Sequence, residues 1–361
     1  MRTGTTRLPL HTGAAPAWLF GRMARLAREI ISLLVVEFGP QEVLRKLSDP
    51  YWFQALGCVL GFDWHSSGLT TTTTGAIKEG LKEIEGELGL FVCGGKGAAS
   101  RKTPDQIRAN ADRHSLGIDA ERLVYASRMS AKVDTSAVQD GYQIYHHAFF
   151  FDREGNWAVV QQGMNEASGW ARRYHWLSLG LESFVVEPHA AVESEGGAGN
   201  NMLNMVAREA DASRAISAEI ASDRPEKAVR ELERLRELDL PGRHAIVCVD
   251  ISPAYLSKIL LRTYERQPRD FEELLGVEGV GPKTVRALAM IGDLVYGAPM
   301  SRRDPAAYSF AHGGKDGIPY PVDRRGYDRS IEIMKKAVEQ ARLGRIQAAE
   351  AIRRLARFYE F

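Results

Sequence analysis

The chain has 361 residues, enough for two domains at roughly 100–200 residues each. Apolar residues make up 44% and charged residues 26%, which excludes wholesale disorder, and 47 basic against 46 acidic side chains exclude a histone-like polycation while allowing a local basic face. Three cysteines, Cys58, Cys93 and Cys248, exclude a disulfide framework or a four-cysteine zinc site within one chain and suit a reducing compartment.

The apolar run Ile30–Val36 is far short of the ~20 residues that cross a bilayer, and the N-terminus lacks the order of a secretory peptide. No membrane association and a cytoplasmic location are therefore expected. After Pro16, Leu19, Met23, Leu26, Ile30, Leu33 and Leu34 recur at spacings of three and four, the stripe of an amphipathic helix that Gly39-Pro40 should stop. Arg22, Arg25 and Arg28 fall on its solvated side. Short helices are predicted at 41–47, 50–60 and 75–87, with Thr70–Thr74 as a cap region before the last, and two more within 103–131.

The texture then changes. Tyr142–Phe151 and Trp157–Gln162 are rich in aromatic and β-branched residues and flank Asp152-Arg-Glu-Gly-Asn156, which predicts a β-hairpin. Closure about Glu154 sets His146 opposite Gln162 and His147 opposite Gln161, one pair facing inward and the other outward, with the choice left open. Glu193–Asn201 holds three glycines and no apolar side chain larger than alanine, as an inter-domain linker would. Beyond it helices are predicted at 202–221, 224–238, 253–265, 270–275, 283–296 and 327–359. The expected class is α+β: a mixed domain at 1–192, a linker at 193–201 and a helical domain at 202–361.

Leu274-Leu-Gly-Val-Glu-Gly-Val-Gly-Pro-Lys-Thr-Val-Arg-Ala-Leu-Ala289 resembles a helix-hairpin-helix, a module that repair and recombination proteins use to hold DNA. Gly279 and Gly281 suit a tight turn, Val280 a plug between the two helices, and Pro282 the first turn of the second. Such a turn aims N–H groups and a positive helix end at one place, which suits a phosphate, and Lys283, Thr284 and Arg286 lie beside it. Phosphates recur along every duplex, so this grip fixes position without reading sequence. Residues 241–361 carry 20 Lys or Arg against 15 Asp or Glu, a modest excess that asks for further basic residues or a second subunit of a homodimer.

The whole chain also resembles the prokaryotic family called domain of unknown function 763. The matching strings include Leu8–Gly13, Trp18–Phe20, Ser48–Gln54, Gly61–Gly68, Gly94–Gly97, Ser127–Asp134, Gln139–Gln143 onward to His147, Val159–Gly163 and Ala171–Trp176. The resemblance implies a bacterial or archaeal setting, and the chemistry is read from the side chains.

Carboxylates, imidazoles and cations concentrate between Lys132 and His175, a composition suited to metal-assisted phosphodiester hydrolysis. Asp134 and Asp140 are candidate ligands for Mg²⁺ or Mn²⁺, His146 or His147 a ligand or general base, Lys132 and Arg172 phosphate contacts, and Gln162 a neighbour of the pair. Asp140 before Gly-Tyr also suits a plain turn, and either histidine a plain strand position. Gly94-Gly-Lys-Gly97 offers a phosphate cradle or an ordinary turn, and Asp63 with His65 a capped loop. The expected function is a DNA-binding, metal-dependent nuclease of genome maintenance or DNA repair. Its alternatives are a base-excision glycosylase using Asp323 downstream of the hairpin, and a non-catalytic DNA-binding scaffold.

Overall fold

In the computed structural model, residues 15–62, 66–194, 202–237, 250–306 and 351 are described. The chain is α+β. It opens with α1 (Ala17–Phe38), α2 (Pro40–Ser48), α3 (Pro50–Leu60), α4 (Gly68–Leu81) and the single turn α5 (Glu85–Leu88). Proline at the first position starts both α2 and α3, and the Asp49 carboxylate caps α3 by accepting from the N–H groups of Tyr51 and Trp52. Strand β1 (Leu90–Lys96) follows, then α6 (Ala98–Arg101), α7 (Thr103–Arg113) and α8 (Ala120–Lys132). A π-helical turn, Val133–Ala137, leads into β2 (Val138–Gln139), β3 (Gln143–Asp152), β4 (Trp157–Asn165), β5 (Trp170–Leu177) and β6 (Ala191–Ser194). After β7 (Leu203–Asn204) and a 3₁₀ turn come α9 (Asp211–Ser222), α10 (Pro225–Glu237), α11 (Pro253–Arg266), α12 (Phe271–Gly276) and α13 (Pro282–Tyr296).

The main sheet is antiparallel in the order β1-β3-β4-β5-β6, and β2 pairs with β7. His146 pairs with Gln162 and His147 with Gln161, as closure about Glu154 requires. Alternation then divides the sheet between two cores. One face sends Val92, Phe150 and Val160 against α1 to α4, where Met23, Ile30, Phe53 and Leu56 are buried. The other sends Phe91, Phe149, Val159 and Trp176 against α7, α8 and the C-terminal helices, in a core that runs on to Leu260, Leu274 and Leu288.

Because helices cover both faces, neither His-Gln pair points to solvent. His146, His147, Gln161 and Gln162 are all buried, which corrects the inward-and-outward expectation. The threonine run is corrected too. Thr70–Thr74 lies inside α4, where Thr70, Thr73 and Thr74 are buried and the Thr74 hydroxyl donates to the Thr70 carbonyl (2.9 Å). Burial against the sheet outweighs the weak helix propensity of β-branched residues. Gly94, Gly95 and Lys96 belong to β1, paired with Ala148, His147 and His146, rather than to a phosphate cradle. Residues 202–210, read as helix, form β7 and the 3₁₀ turn before α9.

Of the expected linker at 193–201, Glu193 and Ser194 belong to β6, paired with Arg173 and Arg172, and the second core contains residues from both sides of it. Residues 195–201, Asp63, His65, Cys248, Asp323 and nearly all of the helix expected at 327–359 lie outside the described residues. Among the described residues no helix is long and apolar enough to cross a membrane.

Candidate functional site

Two regions carry the sequence candidates: a polar cluster built on the sheet, and the hairpin between α12 and α13. The π turn after α8 swings Asp134 onto the sheet face that holds His147 and Gln161. There Asp134 Oδ2 accepts from Gln161 Nε2 (2.5 Å) and Trp176 Nε1 (2.9 Å), while His189 Nε2 stands 2.5 Å from Oδ1. His147 bonds Gln161 through Nδ1 and Ser127 through Nε2, each at 2.9 Å. A second knot forms at Asp140. Arg172 Nη1 (2.8 Å) and the Tyr174 hydroxyl (2.7 Å) donate to its Oδ2, the Tyr142 N–H to its Oδ1, and Arg172 Nη2 also donates to Asp304 (3.0 Å). Burial pushes the Asp140 carboxyl up and the Arg172 charge pulls it back, leaving it above its ordinary value.

His146 and Gln162 lie on the opposite face. His146 Nε2 bonds the Thr74 hydroxyl (3.0 Å), and Gln162 accepts from Thr70 and donates to the Ser67 carbonyl (2.8 Å). Burial drives the His146 imidazole down to about 3, and also lowers His147. The four residues proposed as ligands of Mg²⁺ or Mn²⁺ are thus not brought together. The sheet separates His146 from His147, and both carboxylates are engaged by protein donors. Among the described residues no group of three or more His, Cys, Asp or Glu is arranged to hold a metal ion. Arg172 is fully buried between two carboxylates and cannot serve as a phosphate contact.

Lys132 has a different setting. It lines a groove of about 630 Å³ between α8 and α12, together with Val124, Tyr125, Arg128, Leu275 and Gly276. The Tyr125 hydroxyl donates to Glu272 Oε1 of α12 across it (2.6 Å). Burial lowers the Lys132 ammonium, and its Nζ has no hydrogen-bond or ion-pair partner among the described residues.

A tight turn joins α12 to α13. Asp270 caps α12 through the Glu273 N–H (2.8 Å), Gly279 takes φ +88°, and Val280 is fully buried between the helices. Gly281 is extended (φ −138°), so the turn needs only Gly279 to be glycine. Gly281 precedes α13 with no side-chain cap, so among the described residues the first-turn N–H groups have no side-chain acceptor. Lys283 is exposed and Arg286 half-buried, and both meet Asp250. Arg286 Nη2 donates to both carboxylate oxygens (2.6 Å each), and Lys283 Nζ donates to the Asp250 carbonyl (2.9 Å). Val280 and Thr284 are buried and support the turn instead of facing a ligand.

Three residues escaped the sequence reading. Tyr255, Lys258 and Arg262 occupy one side of α11, and the Tyr255 hydroxyl donates to the Gly279 carbonyl (3.3 Å). A Cβ placed on Gly279 would stand 3.2 Å from Arg262 Nη1, so this guanidinium borders the turn. Lys258 and Arg262 have no hydrogen-bond or ion-pair partner among the described residues. Their spacing of three and four was the available signal. His189 and Asp304 were also missed, and with Asn204 and Arg303 they line a smaller cavity of about 410 Å³. No local pattern marks either one.

These features define an α+β protein in which α12 and α13 pack against α8, α9 and the π turn, beside a sheet covered by helices on both faces. The chain matches the family described as "Protein of unknown function (DUF763)" over residues 4–322, and it belongs to that family. No curated protein and no solved structure is detectably similar to it.

Proposed function

We propose that the protein binds DNA through the hairpin at Val277–Arg286, holding backbone phosphate without reading base sequence. The observation that carries this reading is the uncapped N-terminus of α13 beside a turn bordered by cations from two helices: Lys283 and Arg286 on α13, Lys258 and Arg262 on α11. The first-turn N–H groups and the helix dipole favour an anion there, and the cations add charge that salt screens. The cations of α11, which have no partner among the described residues, answer the need for basic residues beyond the hairpin.

Fluorescence anisotropy on short duplexes of unrelated sequence tests this. Affinities should agree within about threefold across sequences, and log K should fall linearly with log salt. The double variant K258A/R262A should weaken binding by about tenfold or more and flatten that slope by about two. No binding at low ionic strength, or binding untouched by loss of these cations, removes the reading.

A further inference from the structure

We propose that the groove between α8 and α12 is a Schiff-base site, in which Lys132 attacks the aldehyde of an abasic deoxyribose in a DNA strand held by the hairpin. The proposal rests on the DNA-binding reading and adds a reaction to it. Its first support is the state of Lys132, half-buried and with no carboxylate or other partner for its ammonium among the described residues. A lysine that only stabilises a fold is normally paired or fully solvated, whereas an unpaired, desolvated amine is a nucleophile toward carbonyl carbon. The lowered ammonium agrees, because burial without a counter-charge favours the neutral amine.

The second support is the shape and place of the groove. Val124, Met129 and Leu275 give it apolar walls, and about 630 Å³ accommodates a sugar with its flanking phosphate. Arg128 lines the same groove and is exposed; the Glu121 carboxylate beside it is held by Arg108, and the Arg128 guanidinium has no hydrogen bond or ion pair among the described residues, so an anion can meet a cation there. Gly276 lies three residues before Gly279, a span of at most about 11 Å. A strand on the turn therefore passes within about three base steps of Gly276, which lines the same groove as Lys132. The ring-opened sugar of an abasic site is the aldehyde that a DNA-binding surface meets.

In the reaction the neutral amine nitrogen bonds to C1′, and the carbonyl oxygen departs as water with both amine protons, leaving an imine. Protonation of the imine acidifies C2′, whose proton passes to solvent water. The electron pair released there expels the 3′ phosphate by breaking the C3′–O bond. Water then hydrolyses the imine and restores Lys132. No oxidant or reductant is consumed.

The test uses the full chain and a duplex bearing one abasic site, with borohydride to reduce the imine. A covalent protein–DNA adduct should appear on a denaturing gel, and without borohydride the strand should be nicked at the abasic position. K132Q and the charge-preserving K132R should each lower the adduct by about tenfold or more while keeping the wild-type melting temperature, and K102Q should leave it unchanged. An adduct that survives in K132R or K132Q overturns the proposal. Binding of the abasic duplex with no adduct also overturns it and leaves the DNA-binding reading standing. Loss of binding as well as adduct removes both.

Discussion

Asp250 decides how readily the hairpin takes a phosphate. Burial works against its charge, but the hydrogen bonds from Arg286 and the charges of Arg286 and Lys283 outweigh that, holding the carboxyl below its ordinary value. The same two cations would face a backbone phosphate, so the carboxylate and the phosphate compete for them. A buried ion pair broken on one side is costly, yet this one is open to water, and replacing the carboxylate with an amide keeps its shape. D250N should therefore bind duplex about tenfold more tightly at low salt, with a salt slope steeper by one to two, roughly one for each cation released. The measurement is a salt titration of both proteins, and an unchanged slope would show that Lys283 and Arg286 do not meet phosphate.

At the scale of the element, the hairpin separates what folding needs from what binding needs. Gly279 is in the left-handed region, and a Cβ there would come within 2.6 Å of Ile259 Cδ1 and 3.2 Å of Arg262 Nη1. G279A should cost about 1–3 kcal/mol, from backbone strain and from the movement forced on the Ile259 side chain. Gly281 is extended, and a Cβ placed on it would find its nearest neighbour 3.9 Å away. G281A should cost no more than about 1 kcal/mol, the ordinary loss for alanine in place of glycine at an N-cap, while weakening DNA binding by crowding the approach to the α13 N-terminus. Thermal melts and anisotropy on the two variants check both halves. Equal binding by G281A and the wild type would place the phosphate elsewhere.

Among the described residues the sheet, with its buried histidines, is closed between two helical layers, and this sets the response to acid. His146, His147 and His175 are buried, and burial comes first among the causes that lower each of them. Unfolded histidines take up protons near pH 6.5, whereas these stay neutral in the fold. Stability is thus fully present above that pH and falls as the pH drops below it, by about 1.4 kcal/mol per unit for each group. Asp49 and Asp140, raised by burial, act in the opposite sense nearer the carboxylate range. Between about pH 7.5 and about pH 5.5 the three imidazoles together should remove a few kcal/mol. Urea midpoints at the two values measure it, and an unchanged midpoint would mean that the imidazoles are not buried and neutral.

Local chemistry was legible in the sequence where local chemistry decides the structure. The apolar stripe of α1, the prolines that start α2 and α3, the strand register that pairs His146 with Gln162, and the Gly-Val-Gly-Pro turn all depend on neighbours within a few residues. Tertiary structure alone decided that both sheet faces are covered, because alternation says which residues share a face and not what lies over it. It therefore decided that Arg172 is locked between Asp140 and Asp304, that Asp134 is spent on Trp176, Gln161 and His189, and that the threonines of α4 turn inward. It also brought Arg262 to Gly279 and the groove of Lys132 to α12, across separations that no periodicity spans.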